Sequence, residues 1–255
     1  MDRTKPLARA PLMRFDQTLQ CARLSQRYKR FLADVVWSDG SVTTCHCPNT
    51  GSMLGCTSPD SRIWLSYSGN PRRKYAYTWE LVEVASGALV GIHTGRTNSL
   101  IREAIEAGMI PELGAYDELR PEVDVPNAPM RADFRLRDTA RGTATFVEVK
   151  NVTAAVDEAG VAVFPDAVSD RGRRHLEVLT DVVRHGYQAA TIFCAQRADV
   201  TRIEPADTID PAYGRALREA AAAGVDLIGL GASVSPDGIV VDRRVPVRLP
   251  PTNTD

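Results

Sequence analysis

Residues Ala144–Lys150 read ATFVEVK, and the alternation in this run decides what must surround it. Successive side chains of a strand point to opposite faces, so Glu148 and Lys150 share one face while Val147 and Val149 pack on the other. Upstream, Ala132–Leu136 also reads as a strand, in the run MRADFRL, and it carries Asp133. If the two strands pair as a hairpin, Asp133 and Glu148 converge on one cation with Lys150 beside them.

Lysine usage sharpens this. Of 31 basic residues, 27 are arginine and only Lys5, Lys29, Lys74 and Lys150 are lysine. A chain that writes its surface cations as arginine has a chemical reason for a lone late lysine, because a buried ammonium group can orient or deprotonate water and a guanidinium cannot. Phosphodiester hydrolysis calls for this combination: a hard cation held by carboxylates neutralises charge on the phosphoryl oxygens and acidifies a bound water. The expected site is Mg2+ or Mn2+ held by Asp133, Glu148 and the Val149 carbonyl, with Lys150 positioning the attacking water. Glu103, expected on the helix face opposite Leu100 and Ile101, is placed for a water-mediated contact. Spacing alone also fits a strand-edge ion pair, which contributes under about 1 kcal/mol and has no catalytic meaning.

Around this segment the pattern predicts helix 97–108, strands 119–125, 132–136 and 145–149, helix 171–185 ending at Gly186, and a buried strand 188–196. IDPAYGRALREAAAAG follows as a helix with Pro211 in its first turn, then VDLIGLGASV as another buried strand. That order describes a mixed α/β sheet sandwiched by helices. Before residue 94 the texture differs. FLADVVW, the Ser38-Asp39-Gly40 turn and SVTTCHC form a hairpin, and RIWLSYS, YAYTWELVEV and ALVGIH supply three more strands, which suits a small β-barrel.

Charge divides along the same line. Residues 1–80 hold 12 Lys+Arg against 6 Asp+Glu, and residues 81–255 hold 19 against 26, so a basic front half precedes an acidic back half within a net charge of -1. This suits a module that grips a polyanionic backbone joined to one that holds cations. Arg27, Tyr28, Lys29 and Arg30 form one basic cluster with an aromatic inside it, and Arg72, Arg73 and Lys74 precede Tyr75 in a second. Cations can pair with phosphates while aromatic faces stack bases, although solvated basic loops look the same in sequence. Asn49 and Thr50, in the loop CPNTGS, either close a tight turn or offer N–H groups to a phosphate. In RGRRHLEVLTDVVRHG, Arg171, Arg174 and His175 form a basic stripe that is either solvated or beside the cleft.

No apolar run reaches the roughly 18 residues that a membrane span needs, and the basic stretch MDRTKPLARAPLMRF has no apolar h-region or small-residue cleavage site, so a secretory signal is not expected. A cytoplasmic protein with no membrane partner is expected. Five cysteines at irregular spacing argue against a disulfide framework. Cys45, His46, Cys47 and Cys56 offer a zinc alternative without the paired CxxC spacing of structural sites. Neither a glycine-rich phosphate fingerprint nor a nucleophile elbow is present.

QRYKRFLADV, HCPNTGSMLGC, RRKYAYTWELVEV, FVEVKNVT, FPDAVSDRGRRHLEVL and IDPAYGRAL together resemble the sugar fermentation stimulation protein A family, in fixed order between about residues 15 and 248. The resemblance implies an N-terminal OB-fold domain (13–92) and a C-terminal mixed-sheet domain of the PD-(D/E)xK restriction-endonuclease-like kind (93–250), with residues 1–12 and 251–255 as flexible tails. It implies DNA binding, extending to RNA, and nuclease activity, with the metal-site acids on Asp133 and Glu148, the lysine on Lys150 and the helix acid on Glu103. His93 and Met130 depart from the family pattern without touching these ligands. A non-catalytic, sequence-nonspecific DNA-binding regulator is the alternative.

Overall fold

The computed structural model describes residues 12–154, 157 and 159–251. Five strands close a barrel: β2 (Gln20–Tyr28), β3 (Leu32–Val36), β4 (Val42–His46), β5 (Arg62–Tyr67) and β6 (Tyr77–Glu83), in the order β4-β3-β2-β5-β6, with β4 returning to β6 through the pair His46↔Thr78. Every second residue points inward, so Ala22, Leu24, Ala33, Val35, Ile63, Leu65 and Trp79 fill the interior. A short strand, β7 (Leu89–Gly91), extends β6 outside the closed ring.

The second unit is a seven-stranded mixed sheet. Its strands are β8 (Glu118–Asp124), β9 (Arg131–Asp138), β10 (Thr143–Val152), β12 (Gln188–Ala195), β14 (Asp226–Ser235), β15 (Gly238–Arg244) and β1 (Leu12–Arg14), with β10, β12 and β14 parallel at its centre. Both faces are covered, which is why β12 reads as an almost unbroken apolar run. Helix α1 (Thr94–Glu106) lays Leu100, Ile101, Ala104 and Ile105 on one face against Val147, Ile192 and Ile228. Helices α2 (Asp170–Arg184) and α3 (Pro211–Ala223) pack on the other, where Leu176, Leu179, Tyr213 and Leu217 meet Phe146, Val152 and Phe193. A two-stranded piece, β11 (Val161–Phe164) with β13 (Arg202–Pro205), lies apart from this sheet.

Three differences from the sequence expectations have physical causes. The fifth barrel strand is β2 and not β7; the region of the first basic cluster is a strand whose inward residues are only Ala22 and Leu24, a weak alternation beneath a polar outer face. The boundary at residue 13 is displaced, because Met13 and Arg14 pair with Ile239 and Gly238 in the C-terminal unit's sheet, and Leu12 begins that strand; the rest of the expected N-terminal tail, and residues 252–255, lie outside the described residues. Helix α1 starts at Thr94 rather than near residue 97, because the His93 side chain caps it by accepting a hydrogen bond from Gly95 N.

The two units are stitched together. Gly91 N donates to Gln196 O at 2.8 Å, Thr94 Oγ1 to Pro48 O at 2.7 Å, Met53 N to Asp166 Oδ2 at 2.8 Å, and Cys56 Sγ to Thr153 O at 3.2 Å.

Candidate active site

Strands β9 and β10 pair antiparallel from Asp138↔Thr143 to Phe134↔Val147, and there the ladder ends. One step further Asp133 faces Glu148, and the Asp133 carboxylate takes over the role of the missing backbone partner: Val149 N donates to its Oδ2 at 2.7 Å. Its Oδ1 accepts a 2.7 Å hydrogen bond from Asn98 in the first turns of α1. The opened hairpin therefore fixes one acid of the site by both oxygens.

Glu148 is held by its own strand and by α2. Lys150 Nζ lies 2.6 Å from its Oε1, and His175 Nδ1, on α2, lies 2.7 Å from the same atom. Its Oε2 accepts no hydrogen bond from a described residue. The two acids answer burial differently. Burial and the negative charge of Glu148 push the Asp133 carboxyl up from its ordinary value, despite the bonds from Val149 and Asn98. Burial acts on Glu148 in the same direction, but the His175 hydrogen bond and the Lys150 charge outweigh it and hold Glu148 below the usual range. Tyr213 Oη is buried nearby without a partner, and burial and the Glu148 charge raise its pKa.

Asp133, Glu148 and Lys150 thus meet as the spacing predicts. Val149, whose carbonyl is expected to help hold the cation, also joins the cluster through its N–H. Glu103 makes no direct hydrogen bond to the cluster: its Oε2 is buried without a partner among the described residues, and burial and the charge of Glu106, its neighbour on α1, push its carboxyl up. The α1 residue that does reach the site is Asn98. No group of three or more His, Cys, Asp or Glu side chains converges as a metal cluster among the described residues, so the site offers a pair of carboxylates. The zinc alternative loses its donors to the interior: Cys45, Cys47 and Cys56 are buried, with burial pushing the Cys45 thiol up to about 12 and Cys56 to about 11.

A cleft of about 410 Å3 opens onto Val149, Lys150 and Asn151, and its far wall is the barrel loop Asn49–Gly51. The N-terminal turns of α1 (Thr94, Thr97, Asn98) and Arg171 at the start of α2 complete the lining, with Asp166 beside the loop. Asn49 and Thr50, expected to contact nucleic acid, are therefore brought to the same opening as Lys150. Arg27 acts from behind them: its guanidinium donates to the carbonyls of Arg30, Asn49, Gly51 and Ser52 at 2.7–3.2 Å, so it braces the loop instead of standing free for a phosphate. Tyr28 is likewise engaged, its hydroxyl donating to Asp34 at 3.0 Å.

Lys29 and Arg30 are exposed in the β2–β3 turn, both with positive φ, and Arg72, Arg73 and Lys74 are exposed before β6. The pairings Tyr28↔Leu32, Leu32↔His46 and His46↔Thr78 place both clusters at one end of the barrel, the end from which the Asn49–Gly51 loop springs. Arg73 donates to Thr78 at 2.9 Å and Lys74 lies over the Tyr75 ring, so Arg72 is the least committed of the second cluster. On α2, His175 turns to Glu148 and Arg174 is exposed outside the cleft lining; Arg171, whose Nε donates to His175 Nε2 at 3.4 Å, is the arginine of that stripe at the cleft. Asn98, Asn151 and Asp166 escaped the sequence reading. Asn151 alone carried a signal, as an amide directly after the lysine of the site strand.

A closed five-stranded barrel seamed to a mixed sheet, with a lysine at their common cleft and two acids beside that lysine, defines a protein of OB-plus-nuclease-like architecture. Comparison with known proteins agrees. The family model described as "Sugar fermentation stimulation protein RE domain" matches residues 95–238, and "SfsA N-terminal OB domain" matches residues 26–92. The "Sugar fermentation stimulation protein homolog" of Alkalilimnicola ehrlichii is 56% identical over 239 residues, 93% of this chain and 100% of that protein. That of Halorhodospira halophila is 57% identical over 236 residues, 92% and 98% respectively. A solved structure, Pyrococcus furiosus SfsA in complex with Ca2+, superposes with a TM-score of 0.82 at 25% identity, covering 94% of this chain and 100% of that one. The chain belongs to the sugar fermentation stimulation protein (SfsA) family.

Proposed function

We propose that this protein is a metal-dependent phosphodiesterase that cuts DNA or RNA without reading its sequence. The observation that carries the reading is the meeting of Asp133, Glu148 and Lys150, of which Lys150 lines a cleft walled by the barrel. The donors suit a hard cation. Mg2+ is commonly held by one or two carboxylates together with waters and substrate phosphates, so the pair Asp133 and Glu148 is enough, and Mn2+ accepts the same oxygen ligands. Glu148 Oε2 is free of hydrogen bonds among the described residues, and the upward push on Asp133 is what a nearby positive charge would relieve. The relative described with Ca2+, another oxygen-seeking cation, supports the assignment.

When bound, such a cation supplies charge neutralisation at the phosphoryl oxygens and a more acidic water. The remaining work falls to the chain. Asp133 and Glu148 hold the cation; Asn98 and Val149 N fix the first, and His175 fixes the second. Lys150, tethered to Glu148, orients the attacking water and meets the phosphate. The exposed cations Lys29, Arg30 and Arg72 sit on turns at the barrel end, which suits backbone contacts that position a strand without reading its bases. Five free cysteines, four of them buried, fit a reducing cytoplasm, and no helix among the described residues is long and apolar enough to cross a membrane.

The test is incubation with labelled single-stranded and duplex DNA and RNA under Mg2+ or Mn2+, beside Glu148→Ala. Metal-dependent cleavage that disappears in the variant is expected. Cleavage that persists would remove this site from the reaction, and tight salt-sensitive binding without turnover under any divalent cation would leave a binding protein.

A further inference from the structure

Beside Glu148, on the core side, two hydroxyls are buried without a hydrogen-bond partner among the described residues. The first is on the neighbouring strand. β12 runs parallel to β10 with Thr191 paired to Glu148, and partners in a parallel ladder put their side chains on the same face. Thr191 is fully buried and its Oγ1 is unpartnered. The second comes from α3. Tyr213 is fully buried, its ring 5.4 Å from that of Phe164, which lies in turn 5.6 Å from that of Phe193, two residues beyond Thr191 on β12. Its Oη is likewise unpartnered.

Helix α2 brings Tyr213 and Glu148 together. Gly172 lies against the Tyr213 ring, where a Cβ would come within 3.2 Å of Cε2. His175, three residues on and so on the same helix face, reaches Glu148 Oε1 at 2.7 Å. The Glu148 charge is felt at the phenol: after burial, it is the next cause raising the Tyr213 pKa, ahead of Asp210. Asp210 itself is engaged elsewhere, its two oxygens accepting from Tyr213 N at 2.9 Å and Ser169 N at 2.8 Å. An unpartnered buried hydroxyl is costly, and a buried water ordinarily makes about three hydrogen bonds to groups of this kind. Two hydroxyls and one carboxylate supply that number.

We propose that Tyr213 and Thr191 are positioning residues for Glu148, their hydroxyls sharing one buried water with its carboxylate and holding it from the core side. Lys150 and His175 fix Oε1, and the water completes the hold on the side chain, so that a cation meets a carboxylate already set in place. The inference rests on the nuclease reading for the cation alone; the contact with Glu148 stands on the packing of β12, α2 and α3.

Mn2+ binding is measured by calorimetry on the full chain without nucleic acid, for the wild type, Tyr213→Phe, Thr191→Val and both together. Each substitution removes a hydroxyl and keeps the shape. Tyr116→Phe is the control, because its hydroxyl donates to Ile105 O at 3.0 Å on the α1 side. Each of the two single variants is expected to weaken Mn2+ about tenfold, the lower end of what a partner of a ligating carboxylate is worth, with Tyr116→Phe at the wild-type value. The double variant should lose little more than either single one, since removing one hydroxyl already undoes the shared water. Unchanged Mn2+ affinity in Tyr213→Phe, or losses that multiply in the double variant, overturn the proposal; if Tyr213→Phe does not fold, Thr191→Val decides it. Thermal melts in chelator test the contact without metal. Tyr213→Phe should lower the melting midpoint of the wild type and leave that of Glu148→Ala unchanged or higher, whereas equal shifts in the two backgrounds overturn the inference. Unequal melt shifts with no Mn2+ binding by the wild type sink the metal-dependent reading alone. Metal-dependent cleavage lost in Glu148→Ala, with wild-type Mn2+ affinity in Tyr213→Phe, sinks this inference alone.

Discussion

The two walls of the cleft are built on opposite principles. On the sheet side, Lys150 lines the cleft with Asp133 and Glu148 beside it, and the chain around them supplies orientation through Asn98, His175 and a freed backbone N–H. On the barrel side, Arg27 caps loop carbonyls and Tyr28 donates to Asp34, so that Thr50 and Gly51, backed by the buried Asn49, face the cleft. One wall holds charge and the other holds shape. Substitutions should therefore abolish chemistry on the first and weaken binding on the second.

The largest expected effect is on the sheet wall. Asp133→Ala and Glu148→Ala should each lower kcat by about a thousand-fold or more, the factor that several kcal/mol of lost transition-state stabilisation represents. Steady-state cleavage under Mg2+ checks it, with removal of divalent cations by chelation giving a loss of similar size. Losses confined to KM would move these acids from chemistry to binding and erase the contrast between the walls.

Next comes His175, which sequence placed among nucleic-acid contacts and the structure places against Glu148. Partners that orient a ligating carboxylate are typically worth about 10–100-fold in metal affinity. His175→Ala should weaken Ca2+ or Mn2+ binding, read by calorimetry on the nucleic-acid-free protein, by that factor, while oligonucleotide affinity in EDTA stays near wild type. The reverse pattern would return His175 to its expected role.

On the barrel wall, Gly51→Ala should push the loop off Asp166, since the added methyl would meet both carboxylate oxygens and Asn49 Oδ1 within about 3 Å. A several-fold rise in KM with kcat nearly intact is expected, on the order of the 1–3 kcal/mol that crowding a packed contact costs. An unchanged KM would show that the loop's position does not matter to the strand.

How the two walls read in sequence follows from the same difference. ATFVEVK was legible because strand alternation and residue type state the chemistry locally, and the Asp133 partner followed from a hairpin that the structure contains. Four of the barrel's five strands also follow from runs of β-branched and aromatic residues, but β2 was hidden because only Ala22 and Leu24 mark its inner face under a polar exterior. Long-range partnerships were not legible at all. Nothing within residues 26–53 tells that Arg27 will satisfy carbonyls 22 to 25 positions away, or that Asp166 will close the loop from another domain. Helical periodicity likewise gives the face of a residue but not what lies beyond it: the α1 side chain hydrogen-bonded to Asp133 is Asn98, nearer the helix start than the expected Glu103.

The smallest expected effect separates the two acids from each other. Asp133 has its pKa raised in the fold, so its ionised form costs stability at neutral pH; the contribution is fully favourable below the unfolded-state pKa and is lost as pH rises through the folded one. Metal-free Asp133→Asn should accordingly melt above the wild type at pH 7, with Asn98 free to turn its amide and keep the hydrogen bond, and the gap should close as pH falls through the raised pKa. Glu148 has the opposite sign: its depressed pKa gives stability above the unfolded value that is lost on acidification, so Glu148→Gln should melt below the wild type at pH 7 and leave the Lys150 ammonium without its partner. Thermal melts of the two variants from pH 3 to pH 8, chelator present, give the answer. If both variants shifted the same way, the asymmetry between an acid waiting for a cation and an acid already provided with the Lys150 ammonium and His175 would be wrong, and the sheet wall would have to be read as a single coupled pair.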